Sequence, residues 1–213
     1  MPDTSGARSS GETTGGIPDG MSPDAAESWP HPELIESFHG RFDFEAPPSP
    51  PETPADAEAD ARFRTVLGRF ASGVTVIAAQ TSEGPVGMTC QSFSSVSLRP
   101  PLILFAPTKT SRAWARIRRA GHFSVNILAA GQEAVSNQFA SRAADKYADI
   151  SWTPSEQHGD PHLSGAVGYL DCAVHSVHEE GDHYLVVGRV LDLSEGDATD
   201  PLLFFRSDYR ELG

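Results

Sequence analysis

The chain has 213 residues, a formal net charge of −13 and an isoelectric point of about 4.9, room enough for one domain of ordinary size or one domain and a tail. No basic cluster offers a face for a phosphate backbone, which argues against a nucleic-acid partner. No apolar run reaches the ~18 residues of a membrane span and no apolar stretch follows a basic start, so neither a span nor a secretory signal is expected, and the protein reads as cytoplasmic.

Residues 1–60 carry 13 acidic and 2 basic residues, a net of −11, which leaves the remainder nearly neutral at −2. They also hold 10 of the 17 prolines and few aliphatic residues, too little apolar surface to offset the entropy of ordering. Residues 1–58 are therefore expected to form a disordered acidic arm, ahead of a domain over residues 59–213. Within the arm, Leu34, Ile35, Phe38, Phe42 and Phe44 make an apolar island, and the Pro-rich stretch after it reads as a stiff linker. Cys90 and Cys172 lie in separate predicted strands without C-x-x-C spacing, the pattern of reduced thiols.

The domain opens near Glu58 with an amphipathic helix, in which Phe63, Val66, Leu67 and Phe70 share one face and Gly73 ends the run. GVTVIAAQ reads as a strand, SEGP as a turn and PVGMTC as a second strand. RPPLILFAP supplies another, buried on both faces by its LILF core. TKTSRAWARIRRAG is a helix with Thr110 or Ser111 as N-cap, Trp114 and Ile117 inward and Gly121 as its stop. HFSVNIL is a strand and GQEAVSNQFAS a helix that turns Ala134, Val135 and Phe139 inward. After a loop-rich excursion through Trp152 and Pro161, residues 168–195 read as a long hairpin around EEGD, and PLLFFRSDYREL as a last strand. At least six strands, mostly hairpin-connected, against two or three short helices close more naturally into an antiparallel barrel than into a doubly wound sheet.

Two stretches carry candidate chemistry. In GMTCQSFSSVSLRPPL, the residues Thr89, Gln91, Ser92, Ser94, Ser95 and Ser97 interrupt a strand pattern with small polar groups. Such a surface suits a flat ligand rich in heteroatoms, and the same local pattern equally fits a serine-rich edge strand facing water. At the start of TKTSRAW, Lys109 and Arg112 stand where the helix dipole disfavours positive charge by about 0.3 to 1 kcal/mol unless an anion is bound. Hydroxyls, a helix N-terminus and cations together would cradle a phosphate.

FRTVLGRFASGVTVIAA, GMTCQSFSSVSLRPPLILFAP, TKTSRAW, HFSVNIL, the Gly181-Asp182-His183 triplet and PLLFFRSDYREL, in that order, resemble the flavin reductase family, the FMN-binding split-barrel enzymes similar to the reductase component of 4-hydroxyphenylacetate 3-monooxygenase. The resemblance runs from about Phe63 to Leu212 and leaves residues 1–58 uncovered. It implies a mainly β, antiparallel split barrel that uses NADH or NADPH to reduce FMN or FAD for a partner monooxygenase, and that forms a homodimer. It also implies that Thr89, Cys90, Gln91, Ser92, Phe93, Ser95 and Val96 line the flavin, and that Thr110, Ser111 and Arg112 hold its phosphate. His183 would stand at the nicotinamide station with Arg64 and Tyr209 near it. Gln91 where the family commonly has Asn, Cys90 where it has Ala or Val, and Ala113 where Thr often follows bear on which flavin is taken.

That reading needs no strong acid or base, because the cofactors perform hydride transfer, and the chain offers no Ser-His-Asp or paired-carboxylate set. A metal is not expected: His158, His162, His175, His178 and His183 can be drawn as a cluster, yet His175 and His178, three apart on a strand, point to opposite faces. A non-catalytic flavin- or haem-binding carrier or sensor on the same barrel remains the alternative, with an oxidase holding its flavin permanently as a third reading. A carrier has no use for a nicotinamide station.

Overall fold

The computed structural model describes residues 54–212. The arm expected over 1–58, with its apolar island, lies outside the described residues as far as residue 53. Helix α1 (Pro54–Leu67) starts ahead of the expected Glu58 and ends at Leu67, where Gly68 N–H donates to Arg64 O at 2.8 Å, so Gly68 rather than Gly73 is its stop. The predicted apolar face exists, but nothing among the described residues covers it: Phe63 is 66 % and Phe70 80 % exposed.

Seven antiparallel strands form the main sheet: β2 (Thr75–Thr81), β3 (Gly84–Cys90), β4 (Ser94–Leu98), β5 (Pro101–Phe105), β6 (His122–Ile127), β9 (Gly168–Glu180) and β10 (His183–Glu195), in the order β3-β2-β6-β9-β10-β5-β4. The end strands β3 and β4 are consecutive in the chain, so the sheet curls into the expected barrel, split where the two meet. Helix α2 (Arg112–Ala120) plugs its interior. Trp114 and Ile117 are buried there, with the Trp114 ring edge-on to Phe105 at 5.6 Å and Phe105 edge-on to Phe123 at 5.2 Å. Ser111 is the N-cap, its Oγ accepting from Trp114 N–H, and Gly121 closes the helix in the left-handed region (φ 76°).

The unbroken apolar run of β2 has a physical reason: Ile77 and Ala79 face the barrel interior, while Val76 and Ala78 face a second core with Leu128, Phe139, Leu163 and Leu202. Helix α3 (Glu133–Ala140) lies over that second core. It buries Ser136 and Phe139 and leaves Ala134 exposed, a rotation of the expected face, because Ser136 is anchored by polar contacts instead of apolar ones. The expectation that β5 is buried on both faces is also corrected: Ile103 and Phe105 are inside, while Leu102 and Leu104 are only half-buried, since β4 is an edge strand and no layer among the described residues lies over that face.

The excursion after α3 contains a small hairpin, β7 (Trp152–Pro154) with β8 (Pro161–Leu163). The last segment is a hairpin rather than one strand: β11 (Leu203–Phe205) pairs with β12 (Asp208–Arg210) and with β1 (Ser72–Gly73). Arg206 and Ser207 turn it with positive φ (54° and 60°), a two-residue turn ordinarily marked by Asn-Gly or Asp-Gly, which hid it in the sequence.

Gly188, beside an irregularity in the β9–β10 ladder, lets β10 lie against the barrel core: a Cβ there would stand 2.6 Å from Phe123 Cζ and 2.9 Å from Ile103 Cδ1. Both neighbours are buried and cannot move freely. Gly188→Ala is expected to lower stability by about 1 to 3 kcal/mol, read as a reduced midpoint with unchanged slope in urea unfolding.

Candidate functional site

The polar stretch straddles the split. The β4–β5 register pairs Ser94 with Leu104, so Ser92 falls opposite Ala106, where the backbones have already parted. Its hydroxyl replaces the missing ladder: Ala106 N–H donates to Ser92 Oγ at 2.8 Å, and Ser92 Oγ lies 3.3 Å from Ala106 O. Cys90 Sγ is 3.1 Å from Ser92 Oγ, and burial holds the thiol above its ordinary range. Thr89 Oγ1 donates to Ser136 O at 2.6 Å, and Phe93 packs half-buried on the barrel core. These four predicted flavin residues are thus also tied into the fold, to α3, to the chain beyond β5 and to the barrel core. Gln91, Ser95 and Val96 are exposed, and the ladder shifts register between Ser95 and Ser97, pushing Val96 out to 50 % exposure.

Loop 106–111 leads from this segment to the α2 N-terminus and is tied to the turn at Gly181 and Asp182. Lys109 N–H donates to Asp182 O and Tyr184 N–H to Pro107 O, each at 2.9 Å, and Thr108 forms an isolated bridge with His183. The geometry therefore gathers Ser92, Thr110, Ser111 and His183 around one loop. His183 is 41 % exposed, and its Nδ1 lies 2.7 Å from Asp182 Oδ1, a contact that holds the Asp182 carboxyl below the usual range.

The cationic half of the expected cradle is rearranged. Lys109 turns away, its Nζ 3.0 Å from Glu179 Oε2 and above the Tyr184 ring, so it fastens the hairpin rather than facing the helix start. Lys146 takes its place. Its Nζ donates to Phe139 O at 2.6 Å and lies 3.4 Å from Gly87 O, and burial together with the Arg112 guanidinium pushes its pKa below the ordinary lysine value. Sequence reasoning missed it, although Lys109 and Lys146 are the chain's two lysines against 14 arginines. Two cations that disfavour each other, next to an N-capping serine and with no acidic residue in the first helical turn, are what a phosphate dianion would relieve.

Two expected neighbours of His183 stand elsewhere in the chain. Arg64, exposed on α1, pairs with Asp60 at 3.5 Å, a local i,i+4 contact. The Tyr209 hydroxyl lies 2.9 Å from Ser136 Oγ and from Asn137 Oδ1, so it reaches the polar stretch through Ser136 and Thr89.

A family model described as flavin reductase like domain matches residues 67–213. The chain belongs to that family. Among flavin reductase relatives, the reductase subunit of a flavin-dependent monooxygenase from Rhodococcus jostii is 51 % identical over 155 residues, covering 73 % of this chain and 79 % of its own. The 4-hydroxyphenylacetate 3-monooxygenase reductase component of Thermus thermophilus is 39 % identical over 150 residues, covering 70 % and 95 %. The solved NADH:FAD oxidoreductase of Streptomyces globisporus, in complex with NAD and FAD fragments, superposes with a TM-score of 0.70 at 36 % identity, covering 74 % of this chain and 95 % of that one.

Proposed function

We propose that this flavin reductase uses NADH or NADPH to reduce FMN or FAD and delivers the reduced flavin to a monooxygenase component. The observation that carries the reading is the backbone lock between the Gly181–Asp182 turn and loop 106–111, which fixes His183 beside the α2 N-terminus. When bound, flavin and nicotinamide supply the hydride chemistry themselves. The chain's part is to bind and orient. Ser111, Arg112 and Lys146 would hold the phosphate end; Gln91, Ser95 and Val96, exposed along the split, would lie against the ring system; His183 would position the nicotinamide, itself oriented by Asp182. A shallow polar surface favours release of a diffusible product over permanent retention.

A homodimer fits the apolar residues of α1 that the described residues leave exposed, with Leu98 (90 % exposed) and Leu193 (67 %). Among the described residues no helix is long and apolar enough to cross a membrane, in keeping with the cytoplasmic location proposed. Loss of nicotinamide absorbance on mixing the protein with NADH is expected to require added free flavin and to give many turnovers per protein. A non-catalytic carrier would bind flavin without consuming NADH, and a permanently loaded oxidase would need no added flavin.

A further inference from the structure

At the opposite end of α2, about 13 Å from its N-terminus, Gly121 passes the chain to His122, the first residue of β6. His122 Nδ1 lies 2.9 Å and 2.8 Å from Asp160 Oδ1 and Oδ2. Asp160 has no exposed surface, and its Oδ1 also accepts Gln80 N–H at 2.7 Å. It belongs to the loop joining β7 to β8, a turn closed by Ser155 N–H to Asp160 O at 2.9 Å and Gly159 N–H to Ser155 O at 3.0 Å. The same turn carries His158, whose ring stacks on His122 with centroids 4.4 Å apart and planes 10° from parallel. One ligating atom from each of His122, His158 and Asp160 lies within 4.8 Å of the others.

We propose that His122, His158 and Asp160 bind a divalent transition cation of the zinc class, through two imidazole nitrogens and one carboxylate oxygen, with water completing the shell. Two imidazoles and a carboxylate are the donor set such ions prefer over calcium or magnesium, which take oxygen ligands. A buried carboxylate needs compensating charge, and one backbone N–H with one imidazole supplies little of it. A His–Asp pair alone would explain His122 and Asp160 as a clamp on the loop; it gives no reason for a third ligating side chain at the solvent edge of the pair. Ligands of a tetrahedral ion held at ~2.0 Å stand ~3.3 Å apart, so entry of the ion spreads His122 and Asp160 by about half an ångström. Imidazole ligates in its ring plane, so His158 swings out of the stack, as an exposed side chain on a turn is free to do. Gln80 N–H keeps the carboxylate aimed, the part that backbone donors commonly play behind metal ligands. The trio avoids the strand histidines His175 and His178, whose spacing counted against a metal in the sequence. The nearby His162 is otherwise engaged, 3.2 Å from Asp171 and stacked on Tyr169 at 4.7 Å. The ion would tie β6 to the β7–β8 loop, and the site stands apart from the flavin reading and does not depend on it.

Full-length protein stripped with a chelator should be titrated with zinc by calorimetry, and with cobalt(II) as a spectroscopic probe whose visible bands report low coordination number. One site per chain is expected, with a rise in melting temperature on zinc addition. His158→Ala, a change at an exposed side chain, should weaken binding at least about tenfold and abolish the temperature rise; Asp160→Asn should do the same, and His178→Ala should do neither. No zinc binding by the natural chain, or binding by His158→Ala as tight as by the natural chain, would overturn the proposal.

Discussion

Arg112→Ala is expected to weaken FMN binding about ten- to a hundredfold while leaving riboflavin, which lacks the phosphate, bound nearly as before. Arg112 is exposed at the first position of α2, beside the N-cap Ser111 and close enough to Lys146 to depress that lysine's pKa. Its guanidinium has a weak partner in the chain, Arg142 O at 3.5 Å, so it is available to an incoming anion at little cost. A charge-assisted hydrogen bond contributes about 1.5 to 3 kcal/mol, which sets the size of the loss. Ser111→Ala should act in the same direction, but it also removes a helix cap worth about 0.5 to 2 kcal/mol of stability, so Arg112 is the cleaner probe. Flavin titrations with the two ligands side by side measure the difference. Equal losses for FMN and riboflavin would show that the helix start does not hold a phosphate.

What the sequence reveals here follows from how local each feature is. The α2 cap and stop, the β9–β10 hairpin and the existence of strand β2 depend on neighbouring residues, and all are legible from periodicity and turn chemistry. The rotation of α3 is not, because Ser136 is held from outside its helix by Tyr209 and accepts from Thr89 through its carbonyl. Lys109 leaves the helix start and Lys146 comes near Arg112 for the same reason. Lys109 is adjacent to the helix start in sequence but is drawn off by Glu179, 70 residues away, whereas Lys146 arrives from a loop without a motif. The polar segment reads from the sequence as a binding surface or a serine-rich edge strand, and neither reading shows its part in holding the fold. That Ser92 substitutes for a ladder bond to Ala106 appears only when the parting of the chains beyond the β4–β5 ladder is seen.

His183→Ala is expected to raise the KM for NADH and to slow reduction of bound flavin, with the affinity for oxidised flavin unchanged within a few fold. The expectation rests on how His183 is held. Its backbone is bridged to Thr108, and the flanking Asp182 and Tyr184 bond loop 106–111 through main-chain atoms, so removal of the imidazole leaves the turn and the α2 N-terminus in place. Asp182 sits 2.7 Å from Nδ1 and fixes the ring, which leaves Nε2 as the free polar atom for an amide or a diphosphate. Loss of one or two such hydrogen bonds amounts to about 1 to 3 kcal/mol, or roughly five- to 150-fold in the affected step. The ring is 41 % exposed, which places the effect toward the lower end. Asp182→Asn keeps the side chain's size and a contact to Nδ1 but removes the charge, so it should reproduce a fraction of the kinetic loss without changing flavin affinity. Stopped-flow reduction of flavin-loaded protein, run beside an equilibrium flavin titration, separates the two readouts. Unchanged reduction with weakened flavin binding would move His183 to the flavin and leave the nicotinamide station to be sought among the exposed residues of the split, Gln91 and Ser95 first.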